Sequence, residues 1–138
     1  MYQELALQIA KKAYAGQVDK AGKDYILHPM TVAYCMDTDT EKAIAYLHDV
    51  LEDTDASVDE LRNMFSTEIV DAVITLTRNK DDSYFEYIQK VSKSKLAKKV
   101  KAADLLHNLD ITRIKRPTEQ DYKRLEKYKK AILYLETH

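Results

Sequence analysis

Residues 48 to 53 read His48-Asp49-Val50-Leu51-Glu52-Asp53, one imidazole and three carboxylates in an apolar run that begins Ala43-Ile44-Ala45-Tyr46-Leu47. An α-helix advances about 100° per residue. With His48 at zero, Glu52 falls near about 40°, Asp49 near about 100° and Asp53 near about 140°, while Ile44, Leu47, Val50 and Leu51 cover roughly 200° to 320°. A helix through this stretch would bury one face and turn four ionisable groups out from the other. Such groups cost several kcal/mol each when buried unpaired, so they either sit in water or share a cation. The second arrangement would make this a catalytic or metal-binding helix.

The rest of the chain predicts an all-α, multi-helix bundle of about eight helices, forming one domain over residues 1–138. The length allows a genuine core. With 45% hydrophobic and 33% charged residues, the composition is that of a soluble globular protein. Two glycines and two prolines are too few for a many-stranded sheet. Gly16 and Gly22 cannot build a glycine-rich phosphate loop or a dinucleotide fingerprint.

Tyr2 to Ala15 carries Leu5, Ile9 and Ala13 at helical spacing, with Gly16 as its C-cap. A polar loop around Gly22 leads to His28-Pro29, where proline occupies the first turn of a second helix ending near Met36. Thr38 and Glu41 have capping-box spacing and open a helix that runs to about Asp53. Ser57 and Glu60 form a second such box, opening a helix to about Met64. Ser66 or Thr67 and then Ser83 cap the next two helices. Val70 to Leu76 is the best strand candidate, but Asp71 and the neighbouring periodicity favour helix. Lys95 to about Ile114 forms another helix, and Thr118 caps the last, with Tyr122, Leu125, Tyr128, Ile132 and Leu135 as its inward stripe.

The net charge of −1 supplies no basic field, so no nucleic-acid partner is expected. The single cysteine, Cys35, cannot form an internal disulfide and agrees with a reducing, cytoplasmic setting. Its apolar neighbours suggest that it packs in the core. Met1 to Ala15 lacks the apolar core of a signal peptide or membrane span, and no membrane association is expected. The run Ala131-Ile132-Leu133-Tyr134-Leu135 is wider than one buried stripe needs and offers a face for a homodimer.

His28, His48, Asp49 and Asp104 stand out as metal-ligand candidates. Imidazole and carboxylate together suit one divalent ion, with Mn²⁺, Fe²⁺, Zn²⁺ and Co²⁺ all open. Asn108, four residues after Asp104, shares its helix face and could hydrogen-bond a substrate beside the metal. Each residue alone has a plainer reading: His28 as a helix-start residue, His107 as a core or supporting histidine, Asp104 as a surface carboxylate. Lys93, Lys95, Lys98, Lys99 and Lys101 read as a solvated basic face. The ten tyrosines read as core residues with wet hydroxyls.

Taken together, His28, the His48-Asp49 pair and Asp104 resemble the pattern of the HD phosphohydrolase superfamily. The words Gly16-Gln17, Lys20-Ala21-Gly22, Tyr25-Ile26-Leu27-His28-Pro29, Leu47 to Thr54 and Ala103 to Asn108 resemble the hydrolase domain of RelA/SpoT-type alarmone enzymes, and more closely the stand-alone small hydrolases. The resemblance covers residues 2 to 115. It implies an HD-domain bundle with the metal at its centre and His28, His48, Asp49 and Asp104 as ligands of one Mn²⁺, Mg²⁺ remaining an alternative. Glu52 and Asp53 then orient or activate the attacking water, while Lys20 and Asn108 bind the nucleotide. The implied activity is the stringent-response reaction, removal of the 3′-pyrophosphate from (p)ppGpp. Asp19, Leu105 and Asp110 stand where that family commonly has arginine. They motivate two alternatives, a phosphatase or pyrophosphatase for another nucleotide, and a metal-bound nucleotide sensor without turnover.

Overall fold

The computed structural model describes residues 1–138. Nine α-helices follow one another, joined by short loops: α1 (Tyr2–Ala13), α2 (Leu27–Tyr34), α3 (Asp39–Leu47), α4 (Val50–Asp53), α5 (Val58–Met64), α6 (Thr67–Leu76), α7 (Tyr84–Ser92), α8 (Lys95–Asn108) and α9 (Glu119–Thr137), with a 3₁₀ turn at Ile111–Arg113 before the last. The Val18–Asp24 bridge is the sole β-type pairing. Hydroxyl residues start the helices where expected. Thr38, Ser83 and Thr118 form reciprocal capping boxes, and Ser57, Ser66 and Ser94 each accept a backbone N–H of the first turn. Each such cap contributes about 1 kcal/mol.

The helix expected from Thr38 to Asp53 is two helices, which is why there are nine rather than eight. In a continuous helix the Ala45 carbonyl would accept the Asp49 N–H. Here the His48 imidazole takes that carbonyl, with Nδ1 2.6 Å away, and the His48 N–H reaches it at 3.5 Å. Asp49 leaves helical geometry (φ −109°, ψ 0°), and a new turn starts at Val50. A side chain inserted into the backbone ladder is a recognised cause of such breaks. The angular positions expected for a single helix therefore do not hold beyond His48.

Two other boundaries differ from expectation. The eighth helix ends at Asn108, not near Ile114, because the Asp110 carboxylate accepts the Thr112 N–H and turns the chain into a 3₁₀ step. The first helix ends at Ala13, and Gly16 (φ +80°) serves the turn that follows rather than the cap itself.

Helix α3 is the axle of the fold. It contacts α1, α2, α6 and α8, and Ala43, Ile44, Ala45 and Leu47 are fully buried. These side chains belong to one core cluster that also takes in Ala6 and Ala10 of α1 and Ala131, Ile132 and Leu135 of α9. The last three form the inward stripe of the apolar C-terminal run, and Leu133, outside that stripe, is 61% exposed. Cys35 is exposed and not packed, because α2 buries Val32 and Ala33 and the C-cap position turns outward. No helix is long and apolar enough to cross a membrane.

Truncating the centre of this axle tests its weight. Ile44→Ala, at a fully buried site, should cost about 2–5 kcal/mol in urea denaturation. A loss under about 1 kcal/mol would show that the surrounding helices close the gap.

Candidate metal centre

Four elements converge behind α3. His28 arrives from the first turn of α2, His48 from the end of α3, Asp49 from the break before α4, and Asp104 from the middle of α8. One ligating atom from each lies within 4.8 Å of all the others. Donor atoms on one divalent ion stand about 3.3–3.6 Å apart in a tetrahedron and up to about 4.4 Å apart in an octahedron at metal–ligand lengths of about 2.0–2.2 Å, so a shift of a few tenths of an ångström would bring these four onto one ion. The donor set, two imidazoles and two carboxylates, suits such a cation.

The hydrogen bonds around the cluster settle which atoms face its centre. His48 Nδ1–H donates to the Ala45 carbonyl, so Nε2 is the nitrogen that faces the cluster. That Nε2 is buried and has no hydrogen-bond partner, although Asp49 Oδ2 lies 3.1 Å away and Asp104 Oδ1 3.4 Å away. Unprotonated, this nitrogen would aim its lone pair at two carboxylate oxygens, which is repulsive unless positive charge, from a proton or a metal ion, lies between them. A divalent ion supplies that charge, which is the specific sense in which the residues present fit a metal.

His28 is oriented by a residue that sequence reasoning gave only a generic role. Its Nδ1 lies 2.7 Å from His107 Nδ1, and the two rings are nearly parallel, with centroids 5.0 Å apart. Burial lowers the His107 pKa to about 4, with Arg113 and His28 adding to the effect, so this ring stays neutral and accepts. His28 then donates from Nδ1 and presents Nε2, 2.7 Å from Asp104 Oδ1, to the cluster. Supporting bonds of this kind fix the tautomers of metal-binding histidines generally.

The electrostatics reinforce the geometry. Burial alone would raise both carboxyls, but Lys101 and then His48 hold Asp104 well below its ordinary range, and His48 holds Asp49 below its own. Burial would lower His48, yet Asp49 and Asp104 outweigh it and raise its pKa well above normal. Lys101 was expected on a solvated face; its side chain is 12% exposed and its ammonium lies 2.8 Å from Asp104 Oδ2. The signal for this was present in the spacing, since Lys101 and Asp104 are i,i+3 partners beside the small residues Ala102 and Ala103.

The two acids that follow Asp49 have different surroundings. Asp53 Oδ2 accepts from the Tyr14 hydroxyl at 3.3 Å, and its pKa is raised by burial and by Asp49. Glu52 Oε1 accepts the Arg78 backbone N–H at 2.6 Å, which ties α4 to the loop after α6. Tyr25 donates to Asp49 Oδ2 at 3.0 Å. Neither tyrosine contact could be read from sequence, because residues 14 and 25 sit far along the chain from 49 and 53.

A cleft of about 350 Å³ opens beside the cluster and shares His28 with it; Lys20, Tyr25, Asn108, Arg113 and Tyr128 also line it. Asn108 Nδ2 donates to Asp104 Oδ1 at 3.2 Å. Lys20 is already paired with Asp121 at 2.7 Å, Arg124 holds the same carboxylate at 3.2 Å, and Arg113 lies 3.5 Å from Asp19. Arg113, Arg124 and Asp121 were not singled out from the sequence, where nothing marks them from other charged residues near the C-terminus.

These shifts have a testable pH signature. In metal-free protein, the raised His48 pKa contributes stability that is complete below the unfolded value of about 6.5 and is lost as pH rises through the folded value. A bound cation replaces that proton, so metal affinity should climb over the same range. Thermal denaturation with and without Mn²⁺ should therefore show a melting-temperature gap that widens from pH 6 to pH 9. A gap independent of pH would mean that protons and metal do not compete at His48.

Comparison with known proteins adds the family. The HD-domain family profile matches residues 6–109. A guanosine-3′,5′-bis(diphosphate) 3′-pyrophosphohydrolase of Spiroplasma citri is 34% identical over 131 residues, 83% of this chain and 17% of that protein. The bifunctional (p)ppGpp synthase/hydrolase SpoT of Escherichia coli is 32% identical over 119 residues, 75% of this chain and 17% of that one. The chain thus spans about a sixth of the length of these curated relatives. A solved structure of a metazoan SpoT ortholog, described as hydrolysing ppGpp and acting in starvation responses, superposes with a TM-score of 0.81 at 26% identity, covering 97% of this chain and 84% of that one. The matched segment contains His28, His48, Asp49 and Asp104 alike, and the chain belongs to the HD-domain family.

Proposed function

We propose that this protein is a metal-dependent phosphohydrolase that removes the 3′-pyrophosphate from guanosine 3′,5′-bis(diphosphate) or its pentaphosphate analogue. The observation that carries the reading is the orphaned Nε2 of His48 facing two carboxylates, in a cluster that shares His28 with a cleft of about 350 Å³. The printed activities of the relatives named above support the choice of substrate.

In this reading His28, His48, Asp49 and Asp104 hold one divalent ion, with Mn²⁺ as the first candidate. When bound, such an ion lowers the pKa of a coordinated water towards ~7–9 and polarises a phosphoryl oxygen. The chain's own residues do the rest. Asp53, whose carboxyl is raised by burial and by Asp49, takes a proton from the attacking water. The Tyr14 hydroxyl holds that carboxylate in place. Glu52 orients the water or stabilises charge nearby while its other task, accepting the Arg78 N–H, positions the loop after α6. Lys20 and Asn108 meet the nucleotide in the cleft. The bond from phosphorus to the ribose 3′ oxygen breaks, that oxygen regains a proton, and pyrophosphate departs.

A second reading has its own observation. Lys20, Arg113 and Arg124 each already face a carboxylate of the cleft, Asp121 or Asp19. A cleft so neutralised favours a less charged nucleotide, hydrolysed or merely bound.

Four measurements test this proposal, and the last separates the two readings. Asp49→Asn or Asp104→Asn should abolish stoichiometric metal in elemental analysis, and retention of full occupancy would remove these residues as ligands. Asp53→Asn should keep the metal and lower kcat by about 10²–10⁴-fold. Glu52→Gln keeps an acceptor for the Arg78 N–H but loses the charge, so a fall in kcat with an unchanged melting temperature would assign Glu52 a role beyond holding the loop. Incubating the Mn²⁺-loaded protein with 3′- and 5′-phosphorylated nucleotides should release pyrophosphate from guanosine 3′,5′-bis(diphosphate). Release only from less phosphorylated nucleotides would favour the second reading, and binding with no release at all would favour a sensor.

A further inference from the structure

The cations lining the cleft are matched by acids; those just beyond it are not. Lys127 of α9 stands 4.5 Å from the centre of the Tyr84 ring, and Arg78, in the loop after α6, stands 5.8 Å from the same ring. Lys127 also lies 5.7 Å from the Tyr128 ring. The Arg78 guanidinium donates only to the Asp82 backbone carbonyl. Lys127 is depressed by burial and then by Arg78, Arg124 and Lys101, all of them positive, with no acid among its influences. Two cations on one aromatic ring gain from its π face, but they repel each other. The Tyr84 hydroxyl adds a buried polar atom without a partner.

This patch adjoins the metal cluster on two sides. Glu52 holds the Arg78 N–H. Lys101, bonded to Asp104, lies 5.2 Å from the Tyr87 ring, and Tyr87 lies 5.9 Å from Tyr84. Tyr128, which lines the cleft, packs 6.3 Å from Tyr84. Arg78, Tyr84 and Lys127 themselves do not line the cleft. A nucleoside in the cleft with its reacting phosphate over the metal would extend its remaining phosphate towards them.

We infer that Arg78 and Lys127, mounted on Tyr84, form an anion subsite for the diphosphate group that leaves in the reaction. Its assignment to the diphosphate released in the reaction rests on the proposed hydrolase reading, but the subsite itself is tested without turnover. Charge-assisted bonds from a guanidinium and an ammonium would relieve the local repulsion, and product release would be slowed by the same contacts.

The test is calorimetric titration of the Mn²⁺-loaded protein with inorganic pyrophosphate and, separately, with guanosine 5′-diphosphate. Both side chains are exposed, so Arg78→Gln and Lys127→Glu leave the core intact. The pair together should weaken pyrophosphate binding at least tenfold and leave guanosine 5′-diphosphate within twofold. Lys11→Gln together with Lys12→Glu, on the exposed part of α1, makes the same change in net charge and should change neither. Pyrophosphate affinity unchanged in the double variant, or no pyrophosphate binding by the parent protein, would overturn the subsite. Equal weakening of both ligands would overturn its assignment to the released diphosphate. Failure of the hydrolase reading looks different: pyrophosphate binding that depends on Arg78 and Lys127 in a protein that turns over no nucleotide.

Discussion

One carbonyl organises the centre of this molecule. By accepting from the His48 imidazole, Ala45 O is withdrawn from the backbone ladder, and the helix that forms the core's axle ends there. The same bond fixes the imidazole tautomer and points its free nitrogen at Asp49 and Asp104. Breaking the helix also swings Asp49 away from the position that a continuous helix would impose. Fold and site therefore share a single hydrogen bond, worth about 1 kcal/mol in isolation but decisive for where the four candidate ligands meet.

The charges around the site are arranged in shells of alternating sign. Asp104 sits at the middle, contacted by His28, Asn108 and Lys101, with His48 close by. Lys101 offsets part of the negative charge that would otherwise make two buried carboxylates prohibitive. Further out, Asp19 and Asp121 neutralise the cations of the cleft, while Arg78 and Lys127 remain unmatched. The absence of arginine at positions 19, 105 and 110 is thus only part of the balance. Leu105 is fully buried in the core, Asp110 turns the chain after α8, and Asp19 ties its own loop while facing Arg113.

Most helix starts were legible because capping chemistry is local: a hydroxyl at Thr38, Ser83 or Thr118 and an acid three residues later satisfy each other without reference to the rest of the chain. The candidate ligands were legible because His28, His48, Asp49 and Asp104 lie in words whose combination is distinctive. What could not be read depends on distance in space. The break at His48 arises from a side chain competing for a carbonyl within its own helix, which periodicity cannot register. The pairings of Tyr14, Tyr25 and His107 join positions separated by tens of residues. Cys35 misleads because an apolar neighbourhood in sequence says nothing of which way a helix end faces.

The four candidate ligands span much of the chain, and His28 alone lies 76 positions from Asp104. A cation held by all of them would act as a reversible cross-link, closing loops that the unfolded polypeptide would otherwise explore freely. Its dissociation would have to accompany any opening that separates α2 from α8. The lifetime of the folded chain against proteases in the cell would then follow the supply of free metal, so that starvation for the ion would deplete the protein itself as well as silence it.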